Sequence, residues 1–199
     1  MELQEYFDQL APNWDMELVP EKLERLEYIV RGLHIEPGYC VLDVGTGTGV
    51  LLPFLIAELH GEGRIIALDL SAKMLARARA KNSAPVVDFV QADVVATPLA
   101  DACVDIAVCN GVFPHFSDKV KALNEIARIL KDNGVLVICH TMSRAMLNDL
   151  HQSIGGIVAM DLLPDESEMR QMIALAGFAL VHFEDTSHRY LVIARKRPL

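Results

Sequence analysis

No apolar stretch in this chain of 199 residues approaches the length needed to cross a bilayer. The start, MELQEYFDQLAP, lacks the basic-then-apolar layout of a secretory signal and is acidic and amphipathic instead. Basic charge is short as well. Eighteen Lys and Arg against 27 Asp and Glu leave a formal charge of −9, which repels phosphate backbones and argues against a nucleic-acid partner. The densest basic run, ARKRPL at the C-terminal end, reads as a solvated tail. The four cysteines, Cys40, Cys103, Cys109 and Cys139, form no CxxC pair, and three of them lie in or at the end of apolar runs. Buried, reduced thiols in a cytoplasmic protein account for them most simply. Internal repeats and low-complexity segments are missing too.

Apolar residues make up 52% of the chain, enough for a large core in one domain of ordinary size. Their spacing alternates between two periods. EKLERLEYIVRGLHI carries Leu23, Leu26, Ile29, Val30 and Leu33 on one helical face. CVLDVG reads as a buried strand, and GVLLPFLIAELHGEG as a helix ending at Gly61 with Pro53 in its first turn. RIIALDL is a strand, followed by SAKMLARARAKN, a helix with Ser71 as N-cap. PVVDFVQAD and CVDIAVCNGV are strands. SDKVKALNEIARILKDNG is a helix capped by Ser117 and stopped by Gly134. VLVICHTM is a strand, DESEMRQMIALAGF a helix, and ALVHFEDTSHRYLVIARK a hairpin. The pattern implies an α/β fold: a Rossmann-like, doubly wound, mostly parallel seven-stranded sheet with helices on both faces and an antiparallel C-terminal edge hairpin. Two stretches stand outside the alternation. They are residues 1–20, ahead of the main domain at 21–199, and residues 143–164, where SRAMLNDLHQ looks helical and SIGGIVAMDLLP does not.

The stretch VLDVGTGTGV concentrates the chemistry. In an open α/β sheet, ligands bind beyond the carboxyl ends of the strands, where this loop lies. Gly45, Gly47 and Gly49 permit unusual dihedrals and close approach of a ligand to the backbone. The helix that follows offers unpaired N–H groups to an anion. A P-loop needs GK[ST] where this chain has Gly49-Val50-Leu51, so a nucleotide triphosphate does not fit. A dinucleotide fits better, because Asp69 ends the second strand at the distance expected of a ribose-binding acid. The glycines, however, are spaced GxGxG rather than GxGxxG. Mere turn glycines and ordinary strand-end or turn acids remain alternatives at each position.

Taken with its neighbours, VLDVGTGTG resembles the first motif of the class I S-adenosylmethionine-dependent methyltransferases. IIALDLSAKMLARARAK is similar to that family's second strand and helix. VVDFVQADVVATPLADACVDIAVCNGVFPHF is similar to its third strand, acidic turn and fourth strand. ALNEIARILKDNGVLVI is similar to the helix and strand that follow. The resemblance covers roughly residues 21–195 and is nearest to small-molecule enzymes of the quinone-biosynthesis type. It implies S-adenosylmethionine as cofactor. Gly45, Gly47 and Gly49 would line its methionine and ribose parts, and Asp43 would favour its ammonium. Asp69, with Leu70 beside it, would take the ribose hydroxyls. Asp93 and the Val94 N–H would meet the adenine, and Asn110 would lie near the transferable methyl. NGVF after the fourth strand departs from the N-P-P-[YF] of enzymes that methylate bases or glutamine, which argues against those acceptors.

Many methyl acceptors need a base with a pKa near working pH, and histidine suits this. His34 and His60 precede strands, at the wrong end of the sheet, and His182 and His188 belong to the hairpin. His115 follows the fourth strand, His140 ends the fifth and His151 lies on the extra helix. His140 and His115 are therefore the candidate catalytic residues, with His140 preferred because it ends a central strand. The spacing of these histidines with Cys109 or Cys139 matches no standard zinc pattern, so no metal site is assigned. Tyr6, Phe7 and Trp14 make residues 1–20 a candidate lid over the cofactor, and residues 143–164 a candidate acceptor wall. The expected partner is a small-molecule acceptor, with the oligomeric state open. Two other readings keep the fold: an NAD-dependent oxidoreductase, and a non-catalytic cofactor-binding subunit.

Overall fold

A computed structural model describes residues 2–198. Met1 and Leu199, the outermost residues of the expected segments 1–20 and 21–199, lie outside the described residues. The chain divides into two compact units, Met1–Asp93 and Val94–Leu199. Its strands contribute to a seven-stranded mixed sheet, mostly parallel and ending in an antiparallel pair, as the alternating pattern predicts.

The first unit opens with helix α1 (Leu3–Leu10), a 3-10 segment (Ala11–Glu17) and helix α2 (Pro20–Arg31). Strands β1 (Cys40–Val44), β2 (Arg64–Asp69) and β3 (Val87–Gln91) lie in the order β3-β2-β1, all parallel. Helices α3 (Leu52–Glu58) and α4 (Ala72–Lys81) connect them. Pro53 sits in the first turn of α3, where a missing N–H costs little. The Ser71 hydroxyl accepts from the Met74 N–H and caps α4 as expected. Strands β1 and β2 run almost continuously buried, the mark of a parallel sheet covered on both faces.

The second unit contains β4 (Val104–Asn110), α5 (Lys119–Ile129), β5 (Leu130–His140), α6 (Arg144–Ile154), α7 (Glu166–Leu175), β6 (Phe178–Thr186) and β7 (Arg189–Lys196). Strand β4 pairs β5 in parallel, and β7 lies antiparallel between β5 and β6. Two local expectations need correction. The cap of α5 is Asp118 and not Ser117, because the Asp118 carboxylate reaches the Lys121 N–H at 2.9 Å. The same helix ends at Ile129 and not at Gly134. Leu130 is fully buried and pairs with Val104 in β4, so tertiary packing ends the helix where local propensity would continue it. The register then jumps from Val104↔Leu130 to Ile106↔Val135, and the intervening residues bulge through Asn133 at φ 62°. Residues 143–164 form α6 with Ser143 as its cap, followed by a 3-10 turn at Gly156–Val158.

Candidate functional site

Strand β1 delivers Asp43 to the start of the glycine loop, where its carboxylate is 1% exposed. The Thr46 hydroxyl donates to Asp43 Oδ2 at 2.7 Å. Burial, followed by repulsion from Asp69, outweighs that bond and pushes the Asp43 carboxyl up to about 7. Strand β2 delivers Asp69, whose oxygens accept from the Gly47 N–H and the Ser71 N–H, each at 2.8 Å. Burial raises the Asp69 carboxyl above its ordinary range, against the pull of these backbone donors.

The three loop glycines all have left-handed φ, 67° at Gly45, 55° at Gly47 and 81° at Gly49, where a side chain would be strained. Their roles differ. A Cβ on Gly49 would stand 2.8 Å from Asn82 Nδ2 and 3.2 Å from the Ala78 Cβ, so Gly49 seats the loop against α4. A Cβ on Gly47 would lie 3.8 Å from the Trp14 indole nitrogen, so the 3-10 segment roofs the loop at that point. Two aspartates fasten this roof. Asp15 accepts from the Thr48 hydroxyl at 2.5 Å and pairs with Lys81 at 2.9 Å. Asp8 accepts from the Ser71 hydroxyl at 2.5 Å and from the Lys73 N–H at 3.2 Å. Phe7 packs edge-on against Trp14 and Tyr6 edge-on against Phe7.

Two buried carboxylates with raised pKa values, neither hydrogen-bonded to a cation among the described residues, suit a ligand that brings positive charge and hydroxyls. They oppose a pyrophosphate. Asp43, Gly45, Gly47 and Gly49 with Asp69 therefore fit S-adenosylmethionine, whose ammonium and sulfonium are cationic and whose ribose is a diol. Leu70 follows Asp69, and its carbonyl accepts from Gln91 Nε2 at 3.2 Å. Asp93 lies exposed just beyond β3.

In the second unit, Val94 is buried in a short 3-10 turn, and Asn110 ends β4 with its Oδ1 3.8 Å from Cys139 Sγ. Three histidines gather here. His115, in the 3-10 turn Phe113–His115, has Nδ1 2.7 Å from Asp161 Oδ2. His151, on α6, has Nδ1 2.5 Å from the Asp161 carbonyl oxygen. One residue thus grips two imidazoles, whose rings stand 4.9 Å apart. Burial lowers the pKa of His151. His140 ends β5, edge-on to Tyr190, and its Nε2 is a buried nitrogen with no hydrogen-bond partner among the described residues. Burial, then the neighbouring His115 and His151, lower its pKa to about 3, so it stays neutral through the physiological range. Among the described residues, no group of three or more His, Cys, Asp or Glu is arranged to hold a metal ion.

Asp161, Asp8, Asp15 and Thr46 carry much of this arrangement and were not singled out from the sequence. Thr46 could have been, as a hydroxyl within hydrogen-bonding reach of a strand-end acid. The others bond across 10 to 66 positions, and no local pattern marks them.

Comparison with known proteins finds methyltransferases. Residues 42–138 match the family described as Methyltransferase domain. Among curated relatives, the ubiquinone/menaquinone biosynthesis C-methyltransferase of Xanthomonas oryzae pv. oryzae is 28% identical, covering 91% of this chain and 83% of that protein. The arsenite methyltransferase of Halobacterium salinarum is 30% identical, covering 73% of this chain but only 38% of that protein. The chain thus spans well under half the length of some relatives it matches. The crystal structure of a SAM-dependent methyltransferase from Aquifex aeolicus superposes with a TM-score of 0.73 at 23% identity, covering 98% of this chain and 99% of that one. With its VLDVGTGTG loop, strand-end aspartates and strand order, the chain is similar to the class I S-adenosylmethionine-dependent methyltransferases.

Proposed function

We propose that the chain moves a methyl group from S-adenosylmethionine to a small molecule, with His115 as the base on the acceptor side. The buried pair Asp43 and Asp69 at the glycine loop carries the cofactor part of this reading. Bound there, the cofactor supplies an electrophilic methyl on sulfur. The protein supplies alignment, dryness and, for a protic acceptor, a place for the proton. Asp161 supports His115 over His140 as that place. Its carboxylate favours the proton on His115 Nδ1 and so puts the lone pair on Nε2. His140 is sealed and too weakly basic for the task, and serves better as an orienting neighbour.

The N-terminal segment 1–20 is proposed as a lid. Trp14 above Gly47 and the bonds of Asp8 and Asp15 support this, because they hold aromatic surface over the loop through contacts that can be released. Residues 143–164 are proposed as the acceptor wall, supported by His151 and Asp161 within them. The net charge of −9 and the cysteines without disulfides support a cytoplasmic setting and a small molecule rather than nucleic acid. No helix among the described residues is long and apolar enough to cross a membrane.

Calorimetric titration with S-adenosylmethionine, S-adenosylhomocysteine and NAD tests the cofactor. Both sulfur compounds are expected to bind, and Asp69→Ala is expected to weaken them by about a hundredfold, the loss of a bidentate charged contact. Binding of NAD alone would overturn the reading in favour of an oxidoreductase.

A further inference from the structure

A groove of about 390 Å³ opens in the second unit between the start of α5, the start of α6 and the segment leading into α7. That is a small-molecule size. Leu162, Leu163 and Pro164 give it an apolar wall. Asn148 fixes this wall, because its side chain donates to the Leu163 carbonyl at 3.1 Å and accepts from the Leu163 N–H at 2.9 Å.

Four charged residues line the groove, and they are not equally committed. Asp165 and Glu168 form a reciprocal capping box: the Asp165 carboxylate accepts from the Glu168 N–H at 2.8 Å and the Glu168 carboxylate from the Asp165 N–H at 3.1 Å. Both carboxylates keep their charge and are held at the start of α7, which favours them there. The cations have no such use. Arg144 employs its backbone N–H, on Asp185, while its guanidinium forms no ion pair among the described residues. Lys119 donates to a neutral oxygen, the Pro114 carbonyl, at 2.9 Å. Burial lowers the pKa of Lys119, so its ammonium is partly stripped of water, and it has no bonded counter-ion among the described residues. The carboxylate that acts on it electrostatically, Asp161, is already bonded to His115.

We propose that this groove is an oxyanion subsite, in which Lys119 and Arg144 hold a carboxylate or phosphate of the acceptor while its apolar body lies on Leu162, Leu163 and Pro164. The inference rests on the reading of this unit as the acceptor side and narrows the acceptor to an amphipathic anion. The same short segment carries Asp161, which grips the proposed base, and the wall that receives the anion's body. A molecule held in the groove therefore lies beside the residues that would take its proton.

The test uses the full chain and three ring compounds of similar size: benzoate, phenyl phosphate and neutral benzamide, titrated by calorimetry at constant ionic strength. At least one anion is expected to bind about tenfold or more tightly than benzamide. Arg144→Gln and Lys119→Gln are each expected to weaken that anion about tenfold, with partial recovery in Arg144→Lys. The tighter anion identifies the group the subsite takes. Equal binding of benzamide, no binding of either anion, or undiminished binding in the double variant overturns the proposal. S-adenosylhomocysteine titrated into every variant separates the two readings. Its failure to bind the wild-type chain counts against the cofactor assignment and leaves the anion result standing. Its retention in the variants shows that they fold.

Discussion

Two buried residues pull the stability of this protein in opposite directions as pH changes. Asp43 has a folded pKa raised from 3.8 to about 7, so the folded state keeps its proton longer than the unfolded chain does. Its stabilising contribution is complete below its ordinary value and is lost as pH rises towards 7. His140 has a folded pKa lowered from 6.5 to about 3, so the unfolded chain binds the proton first. Its contribution is complete at neutral pH and is lost as pH falls below its ordinary value. Between roughly pH 4 and 6.5 the slopes oppose, each at most about 1.4 kcal/mol per pH unit. Asp43→Asn should leave a stability that climbs with pH across this window, and His140→Gln one that declines. Urea unfolding at half-unit pH steps measures both slopes. Unchanged slopes in both variants would remove burial as the cause.

At Gly49 the expectation concerns packing. Gly49→Ala meets an unfavourable φ and a contact at 2.8 Å, so it should destabilise the chain by about 1–3 kcal/mol. Gly47→Ala meets the strain at φ 55° but no close contact, and should cost less stability. Chemical denaturation of the two variants ranks them.

At the scale of elements, one arginine stitches the turn after β3 to α5. Arg128 bonds Glu125 at 2.7 Å and the Leu99 carbonyl at 2.9 Å and pairs with Asp101, while Glu125 accepts from both the backbone and the hydroxyl of Thr97 at 2.9 Å. These donors, Arg128 foremost, hold the Glu125 carboxyl down to about 2. Replacing Arg128 by Met strands the Glu125 carboxylate and should cost about 1–3 kcal/mol near neutral pH. The deficit should shrink as pH falls through 4.5 towards 2, where Glu125 protonates in both proteins, and the difference in unfolding free energy between pH 7 and pH 3 reports it.

The N-terminal elements make a different prediction. Removing the residues before Pro20 should leave a folded chain that has lost turnover, because α2 and the strands supply the buried core while α1 contributes no buried residue. Far-ultraviolet circular dichroism and a labelled-methyl assay on an acceptor mixture decide between a lid and a mere packing helix. Retained turnover would end the lid.

Over the whole molecule, what could be read in advance was whatever repeats locally. The alternation of strand and helix, the hairpin of β6 and β7 and the loop after β1 each depend on residues a few positions apart. So does the Ser71 cap, as hydroxyl and N–H lie three residues apart. The Asp118 cap was missed by one position because Ser117 and Asp118 are both good caps, and only the backbone decides between them. The end of α5 was missed because Leu130 answers to Val104, across the sheet. In the site, Asp43 and Asp69 were legible as strand-end acids beside glycines. Asp161 was not, because its meaning depends on His115, 46 positions away. The oxyanion groove was equally hidden. Arg144 and Lys119 look like ordinary helix-surface cations until the capping box of α7 shows that the neighbouring acids are already engaged.

The Ser71 hydroxyl performs two tasks at once: its hydrogen goes to Asp8 and its lone pair receives the Met74 N–H. These are separate capacities of one oxygen, so surrendering the first does not require surrendering the second. If α1 opens as the proposed lid, Ser71 exchanges one acceptor for water while α4 keeps its first turn intact. A lid of this kind would therefore open onto a finished helix, with nothing to refold between one turnover and the next.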